Sequence, residues 1–223
     1  MSAIASAVEA ANNLGQLSHG MHILLVYTLL ALAPAMLVLC TSFTRILVVL
    51  AFLRQALGSP TIPPNMVLIP LAMLLTLLSM GPVLDEVYTK AVAPAMDAKI
   101  TPIEAYQEAA KPLRAFMLRN TKESDLLVLG KAARLGPFQS LDEVPLRLII
   151  PAFALSELRT AFRMGFTLFM TFLTVDMVVA GLLSALGLMM VPPMSVSLPL
   201  KLLLFVMVDG WTLICGSLIS SVH

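Results

Sequence analysis

Charged residues are scarce in this sequence. Asp, Glu, Lys and Arg make up 12% of its 223 residues, about half the usual share in soluble domains. Hydrophobic residues make up 59%. The formal net charge is only +1, so the basic surface that nucleic-acid binding requires is not expected. The composition therefore predicts an integral membrane protein with no nucleic-acid partner.

Residues that carry metal or catalytic chemistry are also few. The only two cysteines, Cys40 and Cys215, lie in apolar runs, where a cysteine more often packs as a small core residue than forms a disulfide. His19 and His22 lie near the N-terminus, and a metal site there would need further ligands. The sequence has no Gly-rich phosphate loop. We therefore expect no enzyme activity, no metal and no cofactor.

The charges that are present are distributed unevenly. Residues 85–147 hold 18 of the 27 charged side chains, and the flanking stretches are mostly apolar. Residues 1–18 hold one charge, Glu9, so no cleavable signal peptide is expected in them. The layout predicts an N-terminal segment (1–20), a first apolar helical hairpin (21–84), a hydrophilic helical insert (85–147) and a second apolar hairpin with a C-terminal helix (148–223).

Helical signals occur even in the hydrophilic insert. Thr101, Pro102 and Glu104 have the spacing of a capping box with proline at the first helical position. A second helix is expected to start near residues 120–121 and to end at Gly136-Pro137, with Lys131 and Arg134 in its last turn. Strand patterning is absent. The sequence therefore predicts an all-α protein.

Prolines interrupt the longest uncharged run. Residues 177–200 contain no charge but include Pro192, Pro193 and Pro199. Each proline inside a helix removes a backbone donor and clashes with the preceding turn. Broken helices at membrane depth persist only where protein or water covers the freed carbonyls. The run therefore indicates a packed assembly or a pore wall, with Met189-Met190 either as core filler or as a deformable collar at a bend.

Several charges lie in or beside the apolar runs, where each needs a partner or water. Glu157 and Arg163 are six residues apart, about 240° around a helix, and so cannot pair. We therefore expect Glu157 to pair with a cation of another segment or another subunit, and Lys201 or Arg54 are the available cations. Structural ion pairs are favoured over a proton path, because no ladder of acids crosses the membrane. The eight charges are Arg45, Arg54, Glu157, Arg159, Arg163, Asp176, Lys201 and Asp209.

A series of short motifs, in order along the chain, resembles the FliP family of flagellar export-gate subunits. The resemblance covers residues 20–222 and is specific through the joint order of its motifs. They are TSFTRI (41–46), LRQALG (53–58), PPN (63–65), PLRAFMLR (112–119), TKESDL (121–126), SEL (156–158) with TAF (160–162), MMVPP (189–193), LP (198–199), KL (201–202) and VDGW (208–211).

The resemblance implies a non-enzymatic core subunit of the flagellar type III protein export gate. Family members form a five-copy ring, completed by a FliR-like subunit and surrounded by FliQ-like subunits. FlhA-like and FlhB-like export proteins are implied as further partners. Unfolded export substrates pass through the centre. The complex belongs to the flagellar basal body in the bacterial inner membrane and extends toward the periplasm, with the charged insert on the periplasmic side.

The resemblance also implies roles for individual residues. The family's methionine-rich channel gasket matches Leu188, Met189 and Met190, with Leu188 where a third Met is common. Pro192 and Pro193 match the helix break that follows the gasket. Charged residues typical of the family match Arg54, Glu157 and Lys201, and Asp209 lies in the VDGW motif. These four are expected to be structural or intersubunit charges.

Three alternatives remain open. The first is the equivalent gate subunit of a virulence secretion system, although the insert resembles the flagellar branch more closely. The second is a proton-conducting motor or transporter subunit that uses Glu157 or Asp176. The third is an intramembrane hydrolase with Asp176 and Asp209 as a catalytic pair, although neither aspartate has a sequence context typical of catalysis.

Overall fold

The structure is a computed structural model. The N-terminal segment 1–20, which contains His19, lies outside the described residues, as do His22, Gly136, Pro137 and Met189. The chain divides into two compact units, residues 1–38 and 39–223. In the first unit residues 34–38 are helical. The described residues are 27, 31, 34–59, 61–135, 138, 140–188 and 190–222.

The regular structure in the described part of the second unit is helical, and that part contains no strand. The all-α prediction is therefore confirmed. One π-helical turn (Tyr88–Val92) and one 3-10 turn (Leu141–Glu143) supplement the α-helices. The α-helices are α1 (Phe43–Ala56), α2 (Asn65–Ser79), α3 (Gly81–Val87), α4 (Ala93–Met96), α5 (Pro102–Asn120), α6 (Glu123–Ala132), α7 (Leu146–Ala185), α8 (Pro193–Met207) and α9 (Gly210–Ser220).

One helix of the described chain, α7, is by itself long and apolar enough to cross a membrane. Its 40 residues correspond to about 60 Å at 1.5 Å per residue. Three broken helix pairs pass the same test when each is taken as one span, which raises the number to four. Two of these pairs are α2 with Gly81–Met96, bent by 65°, and α8 with α9, bent by 66°.

The start of α5 confirms the predicted capping box. Glu104 N–H donates to the Thr101 hydroxyl at 3.3 Å, and Thr101 N–H donates to Glu104 Oε2 at 2.7 Å. The backbone and hydroxyl of Thr101 lower the pKa of the Glu104 carboxyl from its usual value. Pro102 occupies the first helical position, where its missing N–H would have no helical acceptor.

The next helix begins close to its predicted start but ends early. Helix α6 carries Glu123 and Asp125 in its first turn and Lys131 in its last, as the helix dipole favours. Arg134 was expected in the last turn, and this prediction is wrong. It lies beyond the helix end with a left-handed φ of 55°, while Leu135 N–H donates to the Gly130 carbonyl at 2.8 Å. The chain therefore leaves the helix before residue 136.

Both boundaries expected for the insert, 84/85 and 147/148, fall inside helices. The π-helical turn joins α3 and α4 into one helix, Gly81–Met96, so the first charged residues of the insert continue an apolar helix. Likewise, α7 begins two residues before the second boundary. The insert is thus attached to the apolar hairpins by continuous helix rather than by flexible linkers. The division into domains stays a prediction.

A buried cluster fixes the insert against the first half of α7. Phe116 of α5 and Phe153 of α7 meet edge to face with ring centroids 5.7 Å apart. Cys40 is buried in this cluster. Its thiol is free, and so is that of Cys215, which is half-buried outside the cluster. The cluster consists of Cys40, Met80, Val83, Phe116, Met117, Leu126, Val144, Leu148, Ile149, Ala152, Phe153 and Val222.

Close packing of α1 on α7 continues along the helix. Gly165 of α7 lies directly against Phe52 of α1, where an added Cβ would come within 2.5 Å of the ring. The Phe52 ring also meets Phe162 edge to face at 5.3 Å. Glycine at this position therefore permits the approach of the two helices. Helix α8 then packs back against α7, so that the two form a hairpin.

Candidate functional site

The site consists of the loop between α7 and α8 together with the buried charges that hold the surrounding helices. Helix α7 ends in a Schellman motif around Gly187, whose φ is +71°. The Leu188 N–H donates to the Leu183 carbonyl at 2.9 Å, and the Gly187 N–H donates to the Ser184 carbonyl at 3.1 Å. Glycine adopts this left-handed conformation without the steric cost of a Cβ. The helix end is therefore set by local sequence.

A tight turn then carries the chain into α8. The Val191 N–H donates to the Leu188 carbonyl at 3.2 Å, and this bond closes the turn. Pro192 caps α8 in an extended conformation, and Pro193 is its first residue. Prolines at these positions leave no helical hydrogen bond unmade. The two prolines thus start a helix at a fixed point and do not interrupt one.

The loop (residues 188–192) presents apolar side chains at the end of the α7–α8 hairpin. Met190 is 96% exposed and Leu188 is 46% exposed. Met189, the remaining residue of the expected gasket, lies outside the described residues. An unbranched thioether has three rotatable bonds and adapts to irregular partners. An almost fully exposed methionine on a short, firmly attached turn is therefore suited to contact another molecule.

Glu157 lies in a buried ion pair between α7 and α1. Its partner is Arg45, whose Nε donates to Glu157 Oε2 at 2.8 Å and whose Nη2 donates to Oε1. The two side chains are 1% and 4% exposed. Arg45 also donates to the Asn120 amide oxygen at 3.3 Å and to the Ser221 carbonyl. One guanidinium therefore ties together α1, α7, the end of α5 and the chain after α9.

The expected pairing of Glu157 with Lys201 or Arg54 is wrong. Lys201 instead contacts Asp176, with Nζ 2.6 Å from Oδ2. Arg54 Nη1 donates to the Asn65 amide oxygen at 2.6 Å, so its partner is a neutral side chain near the start of α2. The expectation failed because spacing shows which residues share a helix face but not which helix lies opposite.

Lys201 connects three helices near the end of α1. Besides its bond to Asp176, its Nζ donates to the Ala56 carbonyl at 3.0 Å, which satisfies a carbonyl at the end of α1. The Lys201 side chain is almost fully buried, while that of Asp176 is about one third exposed. The interaction anchors α8 to α7 and to the end of α1, so it holds the hairpin that carries the loop.

A second buried carboxylate, Asp125, was not singled out from the sequence. It accepts a hydrogen bond from the Ser156 hydroxyl at 2.6 Å and lies 2.7 Å from Arg159 Nη2. The Lys122 N–H donates to the same hydroxyl at 3.0 Å. These contacts attach α6 of the insert to α7. The available signal was Arg159 itself, a cation in an apolar run that required an acidic partner.

Asp209 occupies the corner between α8 and α9 in the left-handed region, with φ 50° and ψ 51°. Its side chain is exposed and makes no capping hydrogen bond to α9. Gly210 packs directly against the Phe205 ring, and Trp211 meets that ring edge to face at 5.4 Å. The corner is therefore held by aromatic packing, and the carboxylate is left facing outward.

The intramembrane hydrolase gains no geometric support. Asp176 is bonded to Lys201, whereas Asp209 lies on the exposed corner, so the two have different environments and do not resemble a carboxylate dyad. Within the described part of the chain, no group of three His, Cys, Asp or Glu side chains could hold a metal ion. The buried charges can hold the helices against one another, and the loop can present apolar side chains.

Comparison with known proteins adds independent evidence. The model of the FliP family matches residues 26–218. The flagellar biosynthetic protein FliP of Pectobacterium carotovorum is 50% identical over 200 residues, which cover 90% of this chain and 78% of the relative. FliP of Bacillus subtilis is 47% identical over 89% of this chain and 90% of the relative. FliP of Aquifex aeolicus is 41% identical over 93% of this chain and 87% of the relative. The family match spans most of the chain and agrees with the motifs, and the chain belongs to the FliP family.

Proposed function

We propose that this chain is a core subunit of the flagellar type III protein export gate. Membership of the FliP family and the names of its relatives, flagellar biosynthetic proteins, support this role. In this proposal five copies form a ring with FliR-like and FliQ-like subunits in the inner membrane, next to FlhA-like and FlhB-like proteins. The insert faces the periplasm, and unfolded flagellar subunits pass through the ring.

The single observation that carries the proposal is the geometry of loop 188–192. A Schellman motif and a proline helix start fix both ends of the turn, while Met190 extends from it almost fully exposed. In a ring, copies of this loop would meet at the centre and close the channel with apolar side chains. The backbone would stay in place while the thioethers yield to a passing polypeptide.

Buried charges have a supporting role in this proposal. The Arg45–Glu157 pair and the Lys201–Asp176 pair connect α7 to α1 and to α8. Glu157, Asp176 and Lys201 lie on α7 and α8, the helices that flank the loop, and Arg45 lies on α1. They fix the position of the hairpin, so the ring can open by side-chain movement without loss of helix packing. Arg54 belongs to the same frame through its bond to Asn65.

One second function has a specific observation in its favour. Glu157 is a buried carboxylate on the helix that is long enough to span a membrane, and intramembrane acids often carry protons. Its bidentate bond to Arg45 favours a structural role. A proton-conducting subunit requires that Glu157→Gln abolish proton flux while assembly persists. Loss of assembly in this variant would instead support the structural role.

The function is tested by deletion of the gene in its source organism, followed by complementation. We expect loss of swimming and of export of hook and flagellin subunits, both restored by the intact gene. Normal swimming with lost effector secretion would place the chain in a virulence system. Normal swimming and normal secretion would contradict the proposal.

The gasket is tested by replacement of Met189 and Met190 with Ala. We expect unchanged assembly but raised leakage of small ions through the purified gate in planar bilayers, because two flexible apolar side chains are lost per copy. Met66→Ala is the matched control, since Met66 is also strongly exposed but lies at the start of α2. Equal conductance in the double variant and the control would rule out the gasket.

A further inference from the structure

Three of the eight charges in or beside the apolar runs have no ion pair within the described residues. Glu157, Asp176 and Asp125 are paired with Arg45, Lys201 and Arg159. Arg54 donates hydrogen bonds to neutral partners, whereas Arg163 and Asp209 are exposed and have no ion pair. A charge on an apolar helix surface that becomes buried in an assembly requires a counter-charge.

Arg163 is one of the residues that line a mainly apolar cleft. The cleft has a volume of about 360 Å³ and is lined by α7 and α9 together with Val49 of α1. Met164 and Leu168 of α7 and Leu213 of α9 are among its apolar residues, and Arg163 is the one charged residue among the described residues that line it. We call this cleft the socket.

Asp209 lies in an exposed corner of matching character. The corner between α8 and α9 exposes three consecutive apolar residues before Asp209, which are Val206, Met207 and Val208, and the first two are each 73% exposed. The corner (residues 206–209) is therefore apolar with one carboxylate, whereas the socket is mainly apolar with one guanidinium. No residue of the corner lines the socket.

We propose that the corner 206–209 of one copy of this chain docks into the α7–α9 cleft of the next copy, with Asp209 paired to Arg163. This inference rests on the ring of the proposed function. A closed ring requires two different, complementary surfaces on each subunit, and these two surfaces are complementary in charge and in polarity. The contact identifies Asp209 as an intersubunit charge and gives it a partner.

The inference is tested by disulfide crosslinking in cells. Cys40→Ala and Cys215→Ala provide a cysteine-free background, used after it is shown to support swimming. One copy carries Arg163→Cys with one epitope tag, and a second copy carries Asp209→Cys with another tag. After mild oxidation we expect a crosslinked dimer that contains both tags. Two separately tagged copies exclude a bond within one chain.

The matched control keeps Asp209→Cys and replaces Arg163→Cys by Thr171→Cys. Thr171 is also exposed on α7. It lies eight residues after Arg163, which corresponds to about 12 Å along the helix axis. We expect no dual-tag dimer from this pair. Equal crosslinking of both pairs, or a crosslink of Arg163→Cys to a different protein of the gate, would overturn the inference.

A charge cycle provides a second readout. Arg163→Gln and Asp209→Asn each remove one charge, and Asn still tolerates the left-handed backbone at the corner. Because both changes remove the same pair, we expect the double variant to lower the ring yield no more than either single variant. Additive losses would contradict the pairing. Intact rings without the dual-tag dimer overturn this contact alone, whereas a wild-type chain that forms no ring overturns the proposed function as well.

Discussion

Replacement of Glu157 by Gln tests the structural role of the buried charges most directly. Gln has nearly the same shape as Glu, so helix packing is retained while the Arg45 guanidinium loses its counter-charge. Removal of one partner from a buried ion pair costs about 3–5 kcal/mol. Arg45 keeps acceptors at Asn120 and Ser221, so we expect a value near the lower end, about 3 kcal/mol.

This magnitude predicts a measurable loss of stability. A cost of 3 kcal/mol raises the unfolded fraction about 150-fold, since each 1.4 kcal/mol is a factor of ten. For a chain of this size it lowers the Tm by about 6–12 °C. The assay is thermal unfolding of the purified protein in detergent, followed by the loss of the monodisperse peak in size-exclusion chromatography.

Two control variants separate charge burial from other effects. Glu86→Gln removes the partner of Lys90 in a pair that is about half exposed, and such pairs contribute at most about 1 kcal/mol. The double change Arg45→Met with Glu157→Met removes both buried charges, and we expect it to recover at least part of the lost stability. A Tm for Glu157→Gln equal to that of Glu86→Gln would refute the reasoning.

Two further predictions concern helix packing around the loop. Gly165→Ala is expected to lower the free energy of unfolding by about 1–3 kcal/mol, because the new Cβ meets the Phe52 ring on α1. Gly181 is the control, since it lies in the same helix and a Cβ added there would have nothing within 4 Å. Gly181→Ala should be neutral or stabilising by up to about 1 kcal/mol. Thermal unfolding of the two variants measures the difference, and equal Tm values would contradict the close approach of α1 and α7. Lys201→Met should cost less than Glu157→Gln, about 1–3 kcal/mol, because the Asp176 side chain is about one third exposed, although its Oδ1 is buried. A larger loss for Lys201→Met in the same assay would show that the Asp176 carboxylate is more deeply buried than the structure indicates.

Local features of the chain were predictable where a few neighbouring residues decide the outcome. The Thr101 and Glu104 capping box forms as its spacing indicated, and the all-helical class follows from composition and periodicity. The exit from α6 was harder to predict. It depends on Arg134, which adopts a left-handed backbone conformation. Glycine or asparagine at that position would have indicated such a conformation, but arginine does not.

Contacts between distant segments were not predictable in the same way. The charges that need partners were identified as a set, because an isolated charge in an apolar run is costly wherever it lies. The cation that pairs with Glu157 was not predicted, because Arg45 is 112 positions away in the chain. The choice depends on which face of α7 packs against α1, and Gly165 beneath Phe52 helps to set that register.

The sequence by itself therefore determined the class of the protein, its family and the turn that presents Met190, because these depend on composition, ordered motifs and local backbone preferences. Only the tertiary structure decided the pairing of the charges, since packing of α1, α7, α8 and α9 selects among the available partners. It also showed that Arg163 and Asp209 stay exposed without ionic partners in the described chain. Side chains far apart in sequence meet only after the helices have packed, and the proposed contact between copies would supply the partners that packing within one chain leaves missing.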